Sequence, residues 1–235
     1  MTDPSHPADD RAAPPLTVAR LYVHDFKNPL SAISANLSWL EAVIDDGELR
    51  SAVTDSALAV KQLLHMYNNL LQLARIEAGE SSPAEAVSLD DFVRGAVAAC
   101  RALQLSSTTI IETEGSLPSV HCHWPADYAG LALENLLLAC AANTPGDGRV
   151  TVRAAVDGGT AVITVRDTGV PIADEFVSCC FDAAFQGIAK SENRARYARA
   201  MGMYAVKAAS AALGGSVETR RDNDAQVFIL RLPTG

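Results

Sequence analysis

Basic side chains are scarce in this chain. Its 19 Lys and Arg stand against 28 Asp and Glu, for a formal net charge of -9, and they cluster in one short run only, so a nucleic-acid-binding surface is excluded. No apolar stretch approaches the roughly 20 residues that cross a bilayer. The opening MTDPSHPADDRAAPP lacks the basic and apolar regions of a secretion signal. The expectation is a cytoplasmic protein with no membrane contact, whose partners are proteins or small ligands. The five cysteines, Cys100, Cys122, Cys140, Cys179 and Cys180, contain no CxxC pair, which points to buried thiols in a reducing compartment rather than disulfides or a zinc site. The HCH triplet at His121–His123 has no second ligand pair at metal spacing and is read as structural.

What the chain does have is apolar content. With 49% hydrophobic residues over 235 positions, it can fill one large or two small cores. Residues 1–15, rich in proline and acid, cannot repay the entropy of ordering and read as a disordered tail. Val23, Phe26, Leu30, Ile33, Leu37, Leu40 and Ile44 then recur at steps of three and four, the spacing of a helical seam. After a DDG break at 45–47, Val53, Ala57, Val60, Leu64, Tyr67, Leu71 and Ala74 repeat the rhythm. Together they make a helical hairpin over 16–78. One hairpin cannot cover both seams, so a homodimer forming a four-helix bundle is expected.

Residues 79–86 are Gly-, Ser- and Pro-containing without periodicity and read as a linker. From Val87 to 235 the pattern changes. Helices are expected over about 90–103, 125–142 and 201–213, and strands in TTIIETE, RVTVRAAV, TAVITVRD, SVETRR and QVFILRL. An irregular segment fills 170–199. The fold class is therefore α+β: a helical hairpin followed by an α/β sandwich with helices on one sheet face.

The stretch HDFKNPL (24–30) is the chemically conspicuous part of the hairpin. With Phe26 and Leu30 on the seam, His24, Asp25 and Asn28 fall on the outward face, and helical spacing brings the three together. Pro29 lacks an N–H and clashes with the carbonyl of Asp25, loosening the helix beside them. An exposed imidazole steadied by a carboxylate is a competent nucleophile toward phosphorus; a solvated surface histidine beside a surface acid is the alternative.

HDFKNPLSAI, followed some forty residues later by LLHMYNNLLQLARIEAGE, resembles the dimerisation and phosphotransfer helices of two-component histidine kinases over residues 18–80. The resemblance implies that His24 is the phosphoacceptor, Asp25 its activating acid, and Asn28 the residue that orients water to dephosphorylate a partner's aspartyl phosphate. Residues 87–235 resemble the ATPase domain of the same kinases, with departures. In ENLLLACAANTPGDGRVTV the first box asparagine is Asn135, but the magnesium-ligand position is Ala139 and the basic position Ala142. A methyl offers no lone pair to a hard cation. DTGVPI keeps Asp167, the residue implied to meet adenine, and Gly169, but has Pro171 for a second glycine. ARAMGMYAVKAASAALGG keeps Gly202, with Ala198 and Ala200 at other glycine positions, which weakens phosphate binding at a helix start. The basic run KSENRARYAR (Lys190, Arg194, Arg196, Arg199) stands where the family has a lid, and reads either as a clasp for phosphate or an acidic partner or as a solvated loop.

The resemblance implies a protein phosphorylated on His24 that relays phosphoryl groups to or from response-regulator receivers, as phosphotransferase or phosphatase, with weak or absent use of ATP and Mg²⁺. An ATP-dependent autokinase and a non-enzymatic pseudokinase interaction module are the alternatives. No sensor segment is recognised.

Overall fold

A computed structural model describes residues 30–103, 109–144, 146–183, 185 and 202–235. The tail, His24, Asp25, Asn28, Pro29, the basic run from Lys190 to Arg199, and Ala198 and Ala200 lie outside the described residues.

Helix α1 covers 30–43 and α2 covers Gly47–Glu77. The three residues between them make the turn. Asp46 caps α2 by accepting the Leu49 N–H at 2.9 Å, satisfying a donor that the first turn leaves orphaned. Arg50 Nε donates to Ile44 O at 2.9 Å, and Thr54 Oγ1 donates to Glu41 Oε1 at 2.8 Å across the hairpin. Ala57, Val60, Tyr67 and Ala74 of the expected seam are buried. The other end of α2 stops at Gly79, whose φ of +68° lets the Gly79 and Glu80 N–H groups bond back to Ile76 O and Arg75 O, both at 3.0 Å.

The rest of the described chain runs β1 (Glu85–Ser88), α3 (Leu89–Leu103), β2 (Ile110–Thr113), β3 (His121–Trp124), α4 (Ala126–Asn143), β4 (Arg149–Asp157), β5 (Thr160–Asp167), α5 (Asp174–Val177), α6 (Gly202–Ala212), β6 (Ser216–Asp222) and β7 (Ala225–Pro233). Five strands form one sheet in the order β2-β4-β5-β7-β6. Only β2–β4 is parallel; the other pairs are antiparallel. Strand alternation puts Val150, Val152, Ile163, Val165, Phe228, Leu230 and Leu232 on one face, all buried, against α3, α4 and α6. The opposite face is polar, with Arg149 paired to Glu112 and Arg153 to Glu114. Turn chemistry matches this layout: Gly158 and Gly159, at φ +52° and +77°, supply the left-handed pair that a tight β4–β5 hairpin requires.

Among the described residues strands β1 and β3 pair only with each other, antiparallel, and the apolar rhythm does not mark them: β1 starts at Glu85, inside the stretch read as linker. They brace the C-terminal edge of the domain. Trp124 is buried, packs edge-on to Phe92 with ring centroids 5.5 Å apart, and donates Nε1–H to Pro233 O at 2.5 Å. His121 and His123 lie on the exposed side of β3 while Cys122 and Trp124 point inward. Within the irregular segment, α5 forms one short turn of helix. Among the described residues no helix is long and apolar enough to cross a membrane.

One backbone contact at the end of α6 is unforgiving. A Cβ at Gly215 would lie 2.1 Å from the Arg231 carbonyl oxygen of β7, and a backbone atom in a sheet cannot step aside. Gly215→Ala is expected to destabilise the domain by about 1–3 kcal/mol, read as a lower urea midpoint with an unchanged slope.

Candidate functional site

Helix α4 carries the candidate site because it is apolar almost all round and lies between sheet, α3 and α6. Each polar side chain it buries must therefore be paired inside the protein. Two asparagines, one near the middle and one at the C-terminal end, meet this demand in different ways.

At the end of α4, Asn143 faces the end of β5. Asp167 is fully buried, and its Oδ1 accepts the Gly169 N–H at 2.9 Å and the Asn143 Nδ2–H at 3.3 Å. Asn143 also donates to Val170 O at 3.0 Å. A Cβ on Gly169 would fall 2.3 Å from Asn143 Nδ2 and 2.6 Å from Asn143 O, so the close approach of the two segments requires glycine. Beyond them, Gln226 of β7, fully buried, accepts the Ile172 N–H at 3.1 Å. Burial raises the Cys140 thiol pKa well above its ordinary value, and the neighbouring Asp167 adds to the effect. The fold thus gathers Asp167, Gly169, Asn143 and Cys140 into one rigid corner.

The middle of α4 is arranged differently. Ala139 is buried, and its methyl stands at the position expected to hold magnesium. Asn135 is 3% exposed and its amide is turned to helix α2: Asn69 Nδ2 donates to Asn135 Oδ1 at 2.6 Å, and Asn135 Nδ2 donates to Asn69 Oδ1 at 3.0 Å and to Leu131 O at 2.8 Å. Gly202, at the start of α6, lies beside this pair, since a Cβ there would stand 3.5 Å from Asn135 Oδ1. Around the pair, His65 Nδ1 is 3.9 Å from Glu134 Oε2. Among the described residues its Nε2, which is buried, has no hydrogen-bond partner. Nearer the surface, Tyr204 Oη donates to Glu77 Oε1 at 2.8 Å and Tyr128 Oη to Glu80 O at 2.9 Å.

A magnesium nucleotide can be tested against these residues. The corner of Asp167 and Gly169 holds a fixed, fully buried carboxylate beside close backbone, at the position the resemblance assigns to adenine. The phosphate side does not fit, because Ala139 has no lone pair for a metal that wants oxygen ligands and the amide of Asn135 is already committed. Among the described residues no cluster of three or more His, Cys, Asp or Glu is arranged to hold a metal. Asn69, His65 and Asn143 are the residues that sequence reasoning did not single out. Asn69, Leu73 and Ile76 form a second stripe on α2 at steps of four and three, out of phase with the hairpin seam, and that stripe was the available signal.

Comparison with known proteins adds the family. Residues 15–79 match the His Kinase A (phospho-acceptor) domain, and residues 126–235 match the histidine kinase-, DNA gyrase B- and HSP90-like ATPase domain. This chain belongs to the two-component histidine kinase family. The sensor-like histidine kinase SenX3 of Mycolicibacterium smegmatis is 26% identical over 221 residues, covering 89% of this chain and 55% of that protein. The chain therefore spans about half the length of the curated relatives it matches. Among solved structures, full-length ShkA in complex with AMPPNP superposes with a TM-score of 0.63 at 24% identity, over 95% of this chain and 47% of that one. The Acinetobacter baumannii histidine kinase AdeS gives 0.56 at 15% identity, over 90% of this chain and 98% of that one. These structures share the fold.

The α2–α4 interface of this histidine-kinase-family chain is expected to be pH-sensitive. Burial pushes the His65 pKa below 6.5, partly offset by the Asn135 side chain. The unfolded chain then takes up a proton that the folded chain refuses, so stability present above pH 6.5 is lost as pH falls below it toward the lower folded value. Glu134, whose carboxyl burial pushes up, acts in the opposite sense. The difference in urea midpoint between the natural chain and His65→Gln isolates the histidine, and that difference should grow in the variant's favour between pH 7 and 5.

Proposed function

We propose that this chain is a histidine phosphotransferase or phosphatase of a two-component relay, working through His24 in the cytoplasm as a homodimer, with little use of ATP. The observation that carries the reading is the state of the middle of α4: Ala139 stands where magnesium would be held, and Asn135 is bonded to Asn69 of α2. A chain that charges its histidine poorly from ATP can take the phosphoryl group from a receiver domain. The imidazole nitrogen of His24 attacks phosphorus, a P–N bond forms, the acyl phosphate P–O bond breaks, and the receiver's aspartate leaves as a carboxylate. Asp25 holds the proton on the other ring nitrogen, and the receiver supplies its own metal ion. As a phosphatase the chain uses Asn28 to orient a water that attacks the phosphorus of the receiver's phosphoaspartate, breaking the acyl phosphate P–O bond and releasing inorganic phosphate. The homodimer is supported by apolar residues that the single chain leaves exposed on both hairpin helices: Ile33, Trp39, Val43, Leu49, Leu63 and Met66, with Trp39 at 64% exposure.

An autokinase is the second reading, favoured by one observation: the corner of Asp167, Gly169 and Asn143 that would receive adenine is built. One assay separates the readings. A phosphorylated receiver, drawn from a screen of the host's set, should label His24, and labelled ATP should not. His24→Ala should abolish labelling, Asp25→Asn should slow it about a hundredfold, and Asn28→Ala should leave labelling intact while slowing loss of phosphate from the receiver. Labelling by ATP alone would make the chain an autokinase, and labelling by neither donor a pseudokinase.

Nucleotide affinity is a separate expectation. Mg-ATP should bind with a dissociation constant of about 1 mM, near 4 kcal/mol, by calorimetry. A low-micromolar constant would overturn the weak-ATP reading.

A further inference from the structure

Both elements that would approach a nucleotide's phosphates, the middle of α4 and the start of α6, are tied to helix α2. Asn135 of α4 exchanges two amide hydrogen bonds with Asn69, and Tyr204, two residues into α6 after Gly202, donates to Glu77. We infer that α2 is an internal competitor of nucleotide, with Asn69 holding the Asn135 amide in the docked state and releasing it only when α2 leaves the face of α4. The inference rests on reading α4 and α6 as nucleotide-facing elements and does not need the relay.

The competition follows from satisfaction of buried groups. Asn69 and Asn135 are each 3% exposed. A ligand atom that takes the Asn135 amide leaves the Asn69 amide buried without its partner, a state that costs as much as the new bond brings. Ligand and α2 therefore exclude one another unless the helix moves away and Asn69 is hydrated. The docked state is also held short of full stability: His65 Nε2, one turn before Asn69 on α2, and Gln72 Oε1, one turn after it, are buried without a hydrogen bond among the described residues, and undocking would hydrate them. An interface with a tight amide pair flanked on α2 by two unpaired buried atoms, His65 Nε2 and Gln72 Oε1, is poised to open as a unit rather than to creep.

Hydrogen exchange by mass spectrometry on the full chain, with calorimetric binding of a non-hydrolysable ATP analogue and Mg²⁺, tests this. In the natural chain a saturating analogue should speed exchange of α2 amides over 66–73; protection there would overturn the inference. Asn69→Ala should speed exchange of the same amides and of the first turn of α6, and tighten analogue binding about tenfold, within the usual range of coupling between sites. Asn135→Ala should loosen α2 equally with no gain in affinity. Asn69→Ala with unchanged exchange overturns the tie, and faster exchange without tighter binding overturns the competition. Tyr204→Phe removes only the bond to Glu77 and should shift both readouts in the same direction by less. It keeps the question decidable if Asn69→Ala fails to fold, and no shift in either readout would then overturn the inference. Labelling of His24 is not read, so failure of the relay leaves this outcome intact, and the reverse.

Discussion

Everything in the second domain depends on the burial of α4. Twelve of its residues are buried, and Leu133, Leu136 and Leu137 are inaccessible, each worth about 1.5–3 kcal/mol of transfer free energy. A helix so enclosed tolerates a polar group only with a partner in place. Asn143 meets that demand within the domain, through Asp167 and Val170. Asn135 meets it with a side chain from the hairpin. The same rule that packs the core therefore joins the two parts of the chain.

That rule bears on how nucleotide chemistry could be lost while the fold persists. Replacing an asparagine by Ala139 costs the core nothing, because a methyl is welcome in an apolar helix and removes an amide that would need a partner. Losing Asn135 would be different, since Asn69 would be stranded. Asp167 and Gly169 are also held for reasons of packing: the carboxylate caps its own turn and the glycine lets that turn lie against Asn143. Retention of these residues is thus not by itself a sign of ATP use.

Much of this architecture was legible in the sequence. The three-four rhythm gave the hairpin and the alternation in RVTVRAAV and TAVITVRD gave the central strands, because each of these signals is local. Strands β1 and β3 were not legible: four residues apiece, they owe their existence to pairing with each other across α3, and no periodicity shows in so short a run. Asn135 and Asp167 could be singled out by resemblance, but the partner of Asn135 could not. Asn69 sits among polar residues in YNNLLQ, and only its position relative to Leu73 and Ile76 places it on a face that needs a second domain to cover it. Contacts between parts of a chain leave weaker traces than contacts within a helix.

The length of α2 gives its anchorage a mechanical meaning. From Asn69 to the N-terminus at Gly47 the helix runs about 33 Å at 1.5 Å per residue, while its other end is fastened within a few residues by the Gly79 cap and the Tyr128–Glu80 bond. Gln62 Nε2, two turns nearer the hairpin turn than Asn69, donates to Leu103 O of α3 at 3.1 Å, so α2 is held to the domain along its second half and reaches beyond these contacts toward Gly47. With the pivot at Glu77, Asn69 is about 12 Å and Gly47 about 45 Å along the helix, so a shift of about 1 Å at the amide pair becomes about 4 Å at the hairpin turn. An adjustment at one buried amide pair is therefore magnified about fourfold at the hairpin turn.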